Sequence, residues 1–510
     1  MRRLVFLFLA TLLCCVAVAQ MPTTYHNPVI KGDIPDPSMV CFNGIYYAAG
    51  TSSEWAPHYP LFKSVDMVNW EPCGHIFDKK PEWTKSSFWA PELYVHNGKV
   101  YAYYTARKAA DNISCIGVAV AEDPEKGFVD YGPVVEFGNE AIDAFVLEDE
   151  GKLYISWKAY GLSNRPVELL ACQLSDDGLQ MEGEIFSVMV NTGEGQQWMK
   201  VGDYYYMIES TKGCCGPGSD YQVEIARSKN LRGPYERYEG NPILKGDGPV
   251  QSIGHGTIAK TPDGRMYYLC HAYLSGEGFY CGRQPFLQEI ALGEDGWLHF
   301  VDGDKAQLEH PLPPTVKDYG WKEREFKDDF SAKKLRPEWS WNYIGFDVKT
   351  SIKGGKLSLS GKAVGENKIG AVLALRPTNP DYFFKAEVVN RNNSWKGIAF
   401  YGDEYNLMTL GCQGDKIILK MVKDGVENVV ATADLPKGKV VLSMTVQQGT
   451  KLSFEWLDDE GVHKIGEQDM DLHGLIRWDR VTRPGLYHEG DVNAPAVFES
   501  AQMGDFFWIR

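Results

Sequence analysis

The chain has 510 residues, which is too long for one compact core, so two domains are expected. Hydrophobic residues make up 44% and aromatic residues 13% of the chain, and this composition is typical of a globular protein. The net charge of -16 disfavours a nucleic-acid partner, because phosphate binding needs a basic face.

The first residues have the pattern of a secretory signal peptide. Two arginines precede a short apolar run that ends in Ala17-Val18-Ala19, the small-residue pattern of a cleavage site. We therefore predict a signal peptide over residues 1–19 and export to the periplasm or the extracellular space. Anchoring as a lipoprotein through Cys14 or Cys15 is the alternative, although neither cysteine follows the small residue that such a site needs. After residue 20, no run is long and apolar enough to span a membrane.

A short pattern then recurs: Gly, any residue, an apolar or aromatic residue, and Tyr. It begins at Gly44, Gly98, Gly151, Gly202 and Gly264. Each copy predicts a hairpin turn that leads into a strand, and a second strand pair follows before the next copy. About fifty residues with about four strands is the size of one propeller blade. The repeat therefore predicts a five-bladed β-propeller over residues 20–315.

Three carboxylates lie at the same distance before the repeat glycine of three different blades. Asp36, Asp143 and Glu194 each precede that glycine by eight residues, whereas blade two has Ala90 there and blade five has His255 nine residues ahead. Because the first strand of each propeller blade lines the central channel, residues of equal phase are expected to face one another. The sequence therefore predicts one pocket with three acids.

Crowded carboxylates in a partly apolar pocket cannot all ionise freely, so at least one pKa is expected to rise. Such an arrangement suits a glycosidase, in which one acid protonates the leaving oxygen and another activates water. A calcium site is one alternative, although its acids would be closer together in the sequence. Acids that cap strand ends are another alternative. The common phase of the three acids favours catalysis.

The region from His26 to about Phe300 resembles glycoside hydrolase family 43. The resemblance is carried by stretches such as NPVIKGDIPDPSMVCFNGIYY, FWAPELYVHNGKVYAYYT, AIDAFVLEDEGKLYISW and GHGTIAKTPDGRMYYLCHAY. It implies a five-bladed propeller with an axial active site and hydrolysis with inversion. It also implies that Asp36 is the general base, that Glu194 is the general acid, and that Asp143 orients its partner and raises the pKa of that partner. One departure is Gly195-Gln196, where the family has Gly-Pro.

Further candidates surround these acids, and each has a simpler alternative. The resemblance implies that Arg283 reaches the substrate, but a surface salt bridge is the alternative. Trp89 is a candidate for stacking on a sugar, or it packs in the core. His255 is a candidate for a cation or water cluster, or it is an ordinary buried histidine. Asp33, a rival for the base, is assigned a turn or capping role. No cofactor is expected to be required, and a structural calcium ion at the axis is kept as an option.

Nine cysteines remain once the signal peptide is removed. Their odd number and irregular spacing do not predict a disulfide framework. Cys214 and Cys215 are adjacent, and adjacent cysteines rarely bridge each other.

Residues 302–322 are polar and proline-rich and are interpreted as a linker. Alternating strands without the blade repeat then predict a β-sandwich over residues 323–510, so the whole chain is expected to be all-β. This part resembles the concanavalin-like (jelly-roll) domain that accompanies many family members. It could bind glycan, contribute to the active-site rim or stabilise the propeller. Trp339 and Trp341 suggest a glycan platform, with core packing as the favoured role.

Together these features predict an exported, inverting exo-glycosidase that releases pentose from plant cell-wall polysaccharide or oligosaccharide. The stretch ESTKGCCGPGSDYQVEIARS resembles the cysteine-pair loop of arabinan-acting family members more than that of the xylosidases, and this resemblance implies an α-L-arabinofuranosidase. A β-D-xylosidase is the first alternative. A non-catalytic glycan-binding propeller is an alternative of another class, and the presence of all three acids counts against it.

Overall fold

Short antiparallel sheets follow one another along the chain, because runs of β-branched and aromatic residues alternate with tight turns. The computed structural model describes residues 22–160, 167–319, 325–389, 391–475 and 481–505. The predicted signal peptide, residues 1–19, lies outside these residues. Three short 3-10 helices occur within the described ranges, at Pro124–Lys126, Gly276–Cys281 and His473–Leu475. No helix within those ranges is long and apolar enough to cross a membrane.

Five blades of antiparallel strands form a propeller, which confirms the predicted fold, and a parallel bridge between Glu140 and Ser114 joins blades two and three into one eight-stranded sheet. Blade one consists of Ser38–Phe42, Ile45–Ala49, His58–Ser64 and Glu71–Phe77. Blade two consists of Thr84–His96, Lys99–Lys108, Ser114–Ala121 and Val129–Val135. Blade three consists of Glu140–Asp149, Lys152–Tyr160, Glu168–Gln173 and Phe186–Val190. Blade four consists of Glu194–Val201, Tyr204–Thr211, Gln222–Ser228, Glu236–Arg237 and Leu244–Lys245. Blade five consists of Val250–Lys260, Met266–Leu274, Gln284–Leu292 and Leu298–Phe300.

The segment that precedes blade one closes the ring against the end of blade five. Strand Thr24–His26 pairs antiparallel with Glu309–Pro311. The Val29 N–H donates to the Pro285 carbonyl over 3.0 Å. The last blade therefore holds the first residues of the propeller. This contact fixes the position of the chain just before residues 33–37, which include Asp36.

The repeat glycines of blades one to four lie in two-residue hairpin turns, as predicted for the first strand pairs, whereas Gly264 of blade five lies in a longer turn between Lys260 and Met266. In blades one to three the glycine is the second turn residue, as in Asn43-Gly44, where φ is 52° and 80°. Such turns need left-handed backbone at both positions, which Asn-Gly adopts at low cost. In blade four, Val201 pairs with Tyr204, so Gly202 is the first turn residue instead. Blade four is therefore shifted by one residue relative to the sequence repeat.

Apolar clusters fill the gaps between blades, and the repeat tyrosines belong to them. Tyr47 and Tyr101 pack toward the following blade. In blade four, Tyr205 instead packs toward blade three, and its neighbour Tyr206 packs toward blade five. When a strand is shifted by one residue, each of its side chains moves to the opposite face of the sheet. The exchanged positions of Tyr205 and Tyr206 therefore agree with the one-residue shift in the turn at Gly202.

The second domain is a sandwich of two antiparallel sheets, which confirms the predicted fold. One sheet consists of Phe326–Asp328, Phe346–Ile352, Leu357–Ala363, Tyr382–Val388, Val440–Gln447, Lys451–Asp458, Gly461–Asp471 and Ala496–Asp505. The other consists of Ala371–Ala374, Trp395–Asp403, Asn406–Gln413, Lys416–Lys423, Val426–Asp434 and Arg483–Glu489. Their inner faces form a large apolar core that includes Trp339. Trp339 is therefore a core residue.

The sandwich is joined to blade one by a small sheet. Strand Trp341–Asn342 pairs antiparallel with Trp55–Ala56, which lies between the second and third strands of blade one. The Tyr343 N–H donates to the Glu54 carbonyl over 3.2 Å. This contact places the sandwich beside the loop that follows Gly50, close to the mouth of the channel.

Candidate active site

Ser87 of blade two and Ser252 of blade five have left-handed backbone. In addition, every blade has one left-handed residue at an equivalent position, on the strand that lines the channel or just before it. These residues are Asp36 (φ 52°), Ala90 (41°), Asp143 (57°), Gly195 (57°) and His255 (48°). In blades two to five, the pairing register of the first two strands shifts close to this residue. Left-handed backbone is unfavourable for residues other than glycine, so the surrounding contacts must hold four of the five.

Hydrogen bonds between neighbouring blades hold these residues. The backbone N–H of Ala90, Asp143, His255 and Asp36 donates, respectively, to Thr51 Oγ1 (2.8 Å), Thr105 Oγ1 (3.2 Å), Ser210 Oγ (2.7 Å) and His271 Nδ1 (3.1 Å). Each acceptor belongs to the preceding blade and lies on its second strand or, for Thr51, two residues after that strand ends. The Gly195 N–H donates instead to Asp143 Oδ2 over 3.2 Å. A ring of five contacts therefore links the blades around the channel.

The side chains that accept these hydrogen bonds are not among the residues predicted from the sequence. Thr51, Thr105 and His271 each lie seven residues after the repeat glycine, and Ser210 lies eight after it in the shifted blade four. In blade three, the residue seven positions after the repeat glycine Gly151 is Lys158. A search for side chains in phase after the glycine, as well as before it, would have found them.

Glu194 is not in the same structural phase as Asp36 and Asp143, so that part of the prediction is wrong. Glu194 pairs with Ser210, as Trp89 pairs with Thr105 in blade two, and Gly195 takes the left-handed position. The reason is the one-residue shift at Gly202. The Glu194 carboxylate nevertheless lies near Asp143, and its negative charge contributes to the raised pKa of Asp143.

Asp36 lies at the bottom of the pocket and is surrounded by donors. Thr51 Oγ1 donates to its Oδ2 over 2.6 Å, and Arg283 Nη1 donates to its Oδ1 over 3.2 Å. His255 Nδ1 lies 3.4 Å from Oδ1. Burial raises the pKa of Asp36, but the charges of Arg283 and His255 and the contact with His271 outweigh it, and the pKa lies well below its usual value. Asp36 is therefore an ionised carboxylate that can accept a proton.

Asp143 has the opposite electrostatic environment. It is 6% exposed. Burial, followed by the nearby carboxylates of Glu194 and Asp36, raises its pKa from 3.8 to about 6, although His255 and Lys158 oppose this rise. Gln196 Nε2 donates to the Asp143 carbonyl over 2.6 Å, which fixes the backbone between blades three and four.

Glu194 is held by a tyrosine and a lysine that the sequence analysis did not identify. Tyr221 Oη donates to Glu194 Oε1 over 2.9 Å, and Lys158 Nζ forms an ion pair with Oε2. Burial raises the pKa of Glu194, but Lys158, His255 and Tyr221 together outweigh it and lower the pKa below its usual value. Of these two acids, Asp143 therefore keeps its proton to the higher pH.

The remaining predicted residues lie around this centre. The side chain of Arg283 is 11% exposed and binds Asp36, so it is not a surface salt bridge. Trp89 is half-buried at the channel, with the Arg107 guanidinium 5.6 Å from its ring centroid, and it lies outside the apolar clusters between blades. Asp33 Oδ1 accepts the Arg283 backbone N–H over 3.1 Å, which is a capping contact.

A small polar cavity lies on the axis beside Asp36 and His255, and it is also lined by Glu92 and Gln196. Burial raises the pKa of Glu92 well above its usual value, although Ser38 Oγ donates to it over 2.9 Å. Calcium takes six to eight oxygen ligands, which are carboxylates, carbonyls or waters. Over the residues that the structure describes, no three His, Cys, Asp or Glu side chains are grouped to hold an ion. The described side chains therefore do not form a calcium site by themselves, and an ion at His255 would need water for most of its ligands.

Cys214 and Cys215 form a disulfide bond, so the expectation that they do not bridge is wrong. They lie in the loop between the second and third strands of blade four. Ser252 Oγ donates to the Cys214 carbonyl over 3.2 Å, and the Gly216 N–H donates to Tyr273 Oη over 3.1 Å. The loop is thereby bound to blade five, six residues ahead of Tyr221.

Comparison with known proteins agrees with this geometry. The model of the family "Glycosyl hydrolases family 43" matches residues 25–298, and that of the "Beta xylosidase C-terminal Concanavalin A-like domain" matches residues 327–477. The chain is 27% identical over 484 residues to the non-reducing end alpha-L-arabinofuranosidase BoGH43B of Bacteroides ovatus, with 89% of this chain and 88% of that protein covered. It is 28% identical over 340 residues to a beta-xylosidase of Bacillus subtilis, with 59% and 62% covered.

A solved structure of Bacteroides ovatus, "Xyloglucan PUL GH43B", shares the fold. It superposes with a TM-score of 0.80 at 23% sequence identity, over 95% of this chain and 100% of that chain. The likeness extends over both domains.

Proposed function

This chain belongs to glycosyl hydrolase family 43 and is a glycoside hydrolase, and on that premise we propose that it is an inverting exo-glycosidase. The observation that carries the proposal is the opposite ionisation of the axial acids. The pKa of Asp36 is held well below its usual value, whereas the pKa of Asp143, beside Glu194, is raised to about 6. A base and a proton source in one pocket are the two groups that inverting hydrolysis needs.

In the proposed reaction, Asp36 accepts a proton from water while the water oxygen attacks the anomeric carbon of the terminal sugar. The bond from that carbon to the glycosidic oxygen breaks, and Glu194 donates a proton to the departing oxygen. Attack from the face opposite the leaving group inverts the anomeric configuration. Asp36 ends the turnover protonated and Glu194 ends it ionised, and exchange with solvent restores both.

Lys158 determines where the proton of the acid pair resides. Its ammonium group favours ionised Glu194, so the proton stays on Asp143 before substrate binds. We propose that the glycosidic oxygen replaces the Lys158 ammonium at Glu194 Oε2. Ionised Asp143 then raises the pKa of Glu194 through the repulsion of two nearby negative charges, and the proton moves to the acid that donates it.

The substrate that we propose is a terminal α-L-arabinofuranoside of a plant cell-wall glycan. In support, the arabinofuranosidase of Bacteroides ovatus matches over both domains, and the cysteine-pair loop lies beside Tyr221. A β-D-xyloside is the second candidate, and the beta-xylosidase of Bacillus subtilis favours it. We further propose export through the signal peptide over residues 1–19, and a disulfide at Cys214–Cys215 suits an oxidising compartment.

The test is hydrolysis of 4-nitrophenyl α-L-arabinofuranoside and 4-nitrophenyl β-D-xylopyranoside by wild type and by Glu194→Gln. We expect wild type to turn over the arabinofuranoside faster and the variant to lose that turnover. Glu182→Gln, at an exposed glutamate of blade three, is the matched control and is expected to behave as wild type. Faster turnover of the xyloside would replace the proposed sugar. No turnover of either by folded wild type would favour the glycan-binding alternative.

We also propose that hydrolysis needs no cofactor. Wild type dialysed against EDTA is expected to keep its full rate and its thermal midpoint. A loss of activity that added calcium restores would contradict this proposal.

A further inference from the structure

One buried arginine of the sandwich reaches the propeller beside the catalytic pocket. Arg483 is 2% exposed, and its guanidinium lies 3.7 Å from the centroid of the Trp55 ring of blade one. Its Nη1 donates to Ser340 Oγ over 3.1 Å, and its Nη2 lies 3.7 Å from Asp33 Oδ2. Burying a guanidinium is costly unless charged partners compensate, so the position of Asp33 matters to this group.

Asp33 in turn supports the backbone of Arg283. Its Oδ1 accepts the Arg283 N–H over 3.1 Å, and the Ile34 N–H donates to the Arg283 carbonyl over 2.9 Å. Gly282, with φ of 77°, packs so closely that an added Cβ would lie 2.4 Å from Asp33 Oδ1. Asp33 and the turn at Gly282 therefore fit each other with no room for a side chain.

The path ends at the proposed base. Arg283 Nη1 donates to Asp36 Oδ1 over 3.2 Å. Asp36 is also faced by His255, His271 and Asp143. Among these groups, Arg283 is the largest charged influence that favours ionised Asp36. Contacts therefore lead from Arg483 through Asp33 and Arg283 to Asp36.

We propose that Arg483 is a positioning residue through which the sandwich domain, acting on Asp33, holds Arg283 against the base Asp36. The inference rests on the proposed function, because it concerns the base of that reaction. The other charged groups that face Arg483 are Arg376 of the sandwich and Glu54 of the propeller, with Tyr401 beside them. Replacing a buried ion pair by apolar residues often leaves stability unchanged or raises it. We therefore assign the charge of Arg483 to the positioning of Asp33 and not to the stability of the interface.

The test compares wild type with Arg483→Met, which keeps an apolar side chain against Trp55 and removes the charged guanidinium group. The pH profile of kcat/KM is measured. We expect the acidic limb to move upward by about 0.5 to 1 pH unit, because Asp36 loses part of the influence of Arg283. At the pH midpoint of the wild-type acidic limb we expect kcat/KM to fall about two- to fivefold, and at pH 5 we expect it to be close to wild type. Arg483→Lys keeps the charge and is expected to move the limb by a smaller amount.

Tyr343→Phe is the control for a weakened interface. It removes the interdomain hydrogen bond from Tyr343 Oη to the Lys85 carbonyl and leaves Arg483 in place. We expect its acidic limb to match wild type. An unchanged acidic limb in folded Arg483→Met, or the same shift in Tyr343→Phe, would overturn the proposal.

A double-mutant cycle separates a relay from two independent effects. Asp33→Asn keeps an oxygen for the Arg283 N–H but removes the charge that faces Arg483. If Arg483 acts through Asp33, the double variant is expected to be no slower than Arg483→Met alone. Rate losses that multiply in the double variant would contradict the relay.

Failure of the proposed function remains distinguishable from failure of this inference. If wild type hydrolyses neither glycoside, the ionisation of Asp36 is followed by carbon-13 NMR of labelled aspartate carboxyls, with Asp36→Asn used for assignment. We expect Asp36 to titrate at higher pH in Arg483→Met than in wild type. Identical titration of Asp36 in the two proteins would overturn the inference without reference to turnover.

Discussion

The axis of the propeller and the core of the sandwich are both places where β-sheets meet, yet they contain opposite chemistry. In the sandwich, inward-facing residues such as Phe384, Leu410 and Leu442 are fully buried and apolar. At the propeller axis, the facing residues include Asp36 and Asp143, with buried charges and left-handed backbone. The comparison shows that the sandwich core serves stability and that the axis is built for chemistry at some cost in stability.

The geometry of the two folds explains this difference. The two sandwich sheets bury one face of each strand against the opposite sheet, so alternation of apolar residues completes the core. In the propeller, the apolar faces pack between neighbouring blades, and the strand ends at the channel are left for polar side chains. Left-handed residues cost of the order of 1–3 kcal/mol each, and the ring of hydrogen bonds around the channel offsets that cost.

The largest effect is expected from removing the base at the axis. Asp36→Asn keeps the shape and the contact with Thr51 but cannot accept a proton from water. We expect kcat to fall about 10³-fold or more, with the thermal midpoint changed by only a few degrees. Steady-state kinetics and a thermal melt measure the two quantities. Retention of most of the activity would show that the base lies elsewhere.

The next effect concerns the sandwich core. Leu442→Ala removes a fully buried side chain and leaves a cavity, so the free energy of unfolding is expected to fall by about 3 kcal/mol. We expect kcat/KM of the folded variant at 25 °C to remain within about twofold of wild type. Denaturant titration and kinetics on the same sample test this prediction. A large loss of activity in a fully folded sample would break the proposed separation of roles.

Asp143→Asn is expected to stabilise the protein while it lowers activity. The pKa of Asp143 is raised from 3.8 to about 6, so the buried carboxylate costs stability increasingly as pH rises from 3.8 through 6. At pH 8 we expect a gain in unfolding free energy of the order of 2 kcal/mol, which disappears below about pH 4. Denaturant titrations at both pH values measure it. A loss of stability at pH 8 would contradict the electrostatic account.

The smallest effect is a shift of the pH profile. In wild type, kcat/KM is expected to fall as pH rises through about 6, because the acid pair loses its proton. Lys158 lowers the pKa of both Glu194 and Asp143, so Lys158→Met is expected to move this alkaline limb upward by about one unit. An alkaline limb that stays in place or moves downward would show that Lys158 does not control the proton.

Much of the propeller could be predicted because one repeat specifies both its turns and its packing. The glycine fixes a hairpin turn, and the tyrosine three residues later packs between blades. The position of Glu194 could not be counted correctly, because spacing alone does not tell whether Gly202 is the first or the second turn residue. The carboxylate was nevertheless assigned to the pocket, since a shift of one residue leaves it at the same end of the strand.

The electrostatics of the site could not be predicted, because they depend on contacts between blades and between domains. Lys158 at Glu194 and Tyr221 beside it come from neighbouring strands whose approach the sequence does not state. The link from Arg483 to Asp33 joins residues 450 positions apart. The bond between Cys214 and Cys215 likewise depends on how the loop is tied to blade five.

The central claim is that Asp36 acts on water at the axis while Glu194 protonates the leaving group. The most direct test is proton NMR of wild type with the better of the two 4-nitrophenyl glycosides, recorded before the released sugar mutarotates. The account predicts that the first product has the inverted configuration, which is β-L-arabinofuranose from the α-L-arabinofuranoside or α-D-xylose from the β-D-xyloside. A first product with retained configuration would contradict it, because a carboxylate would then attack the sugar itself.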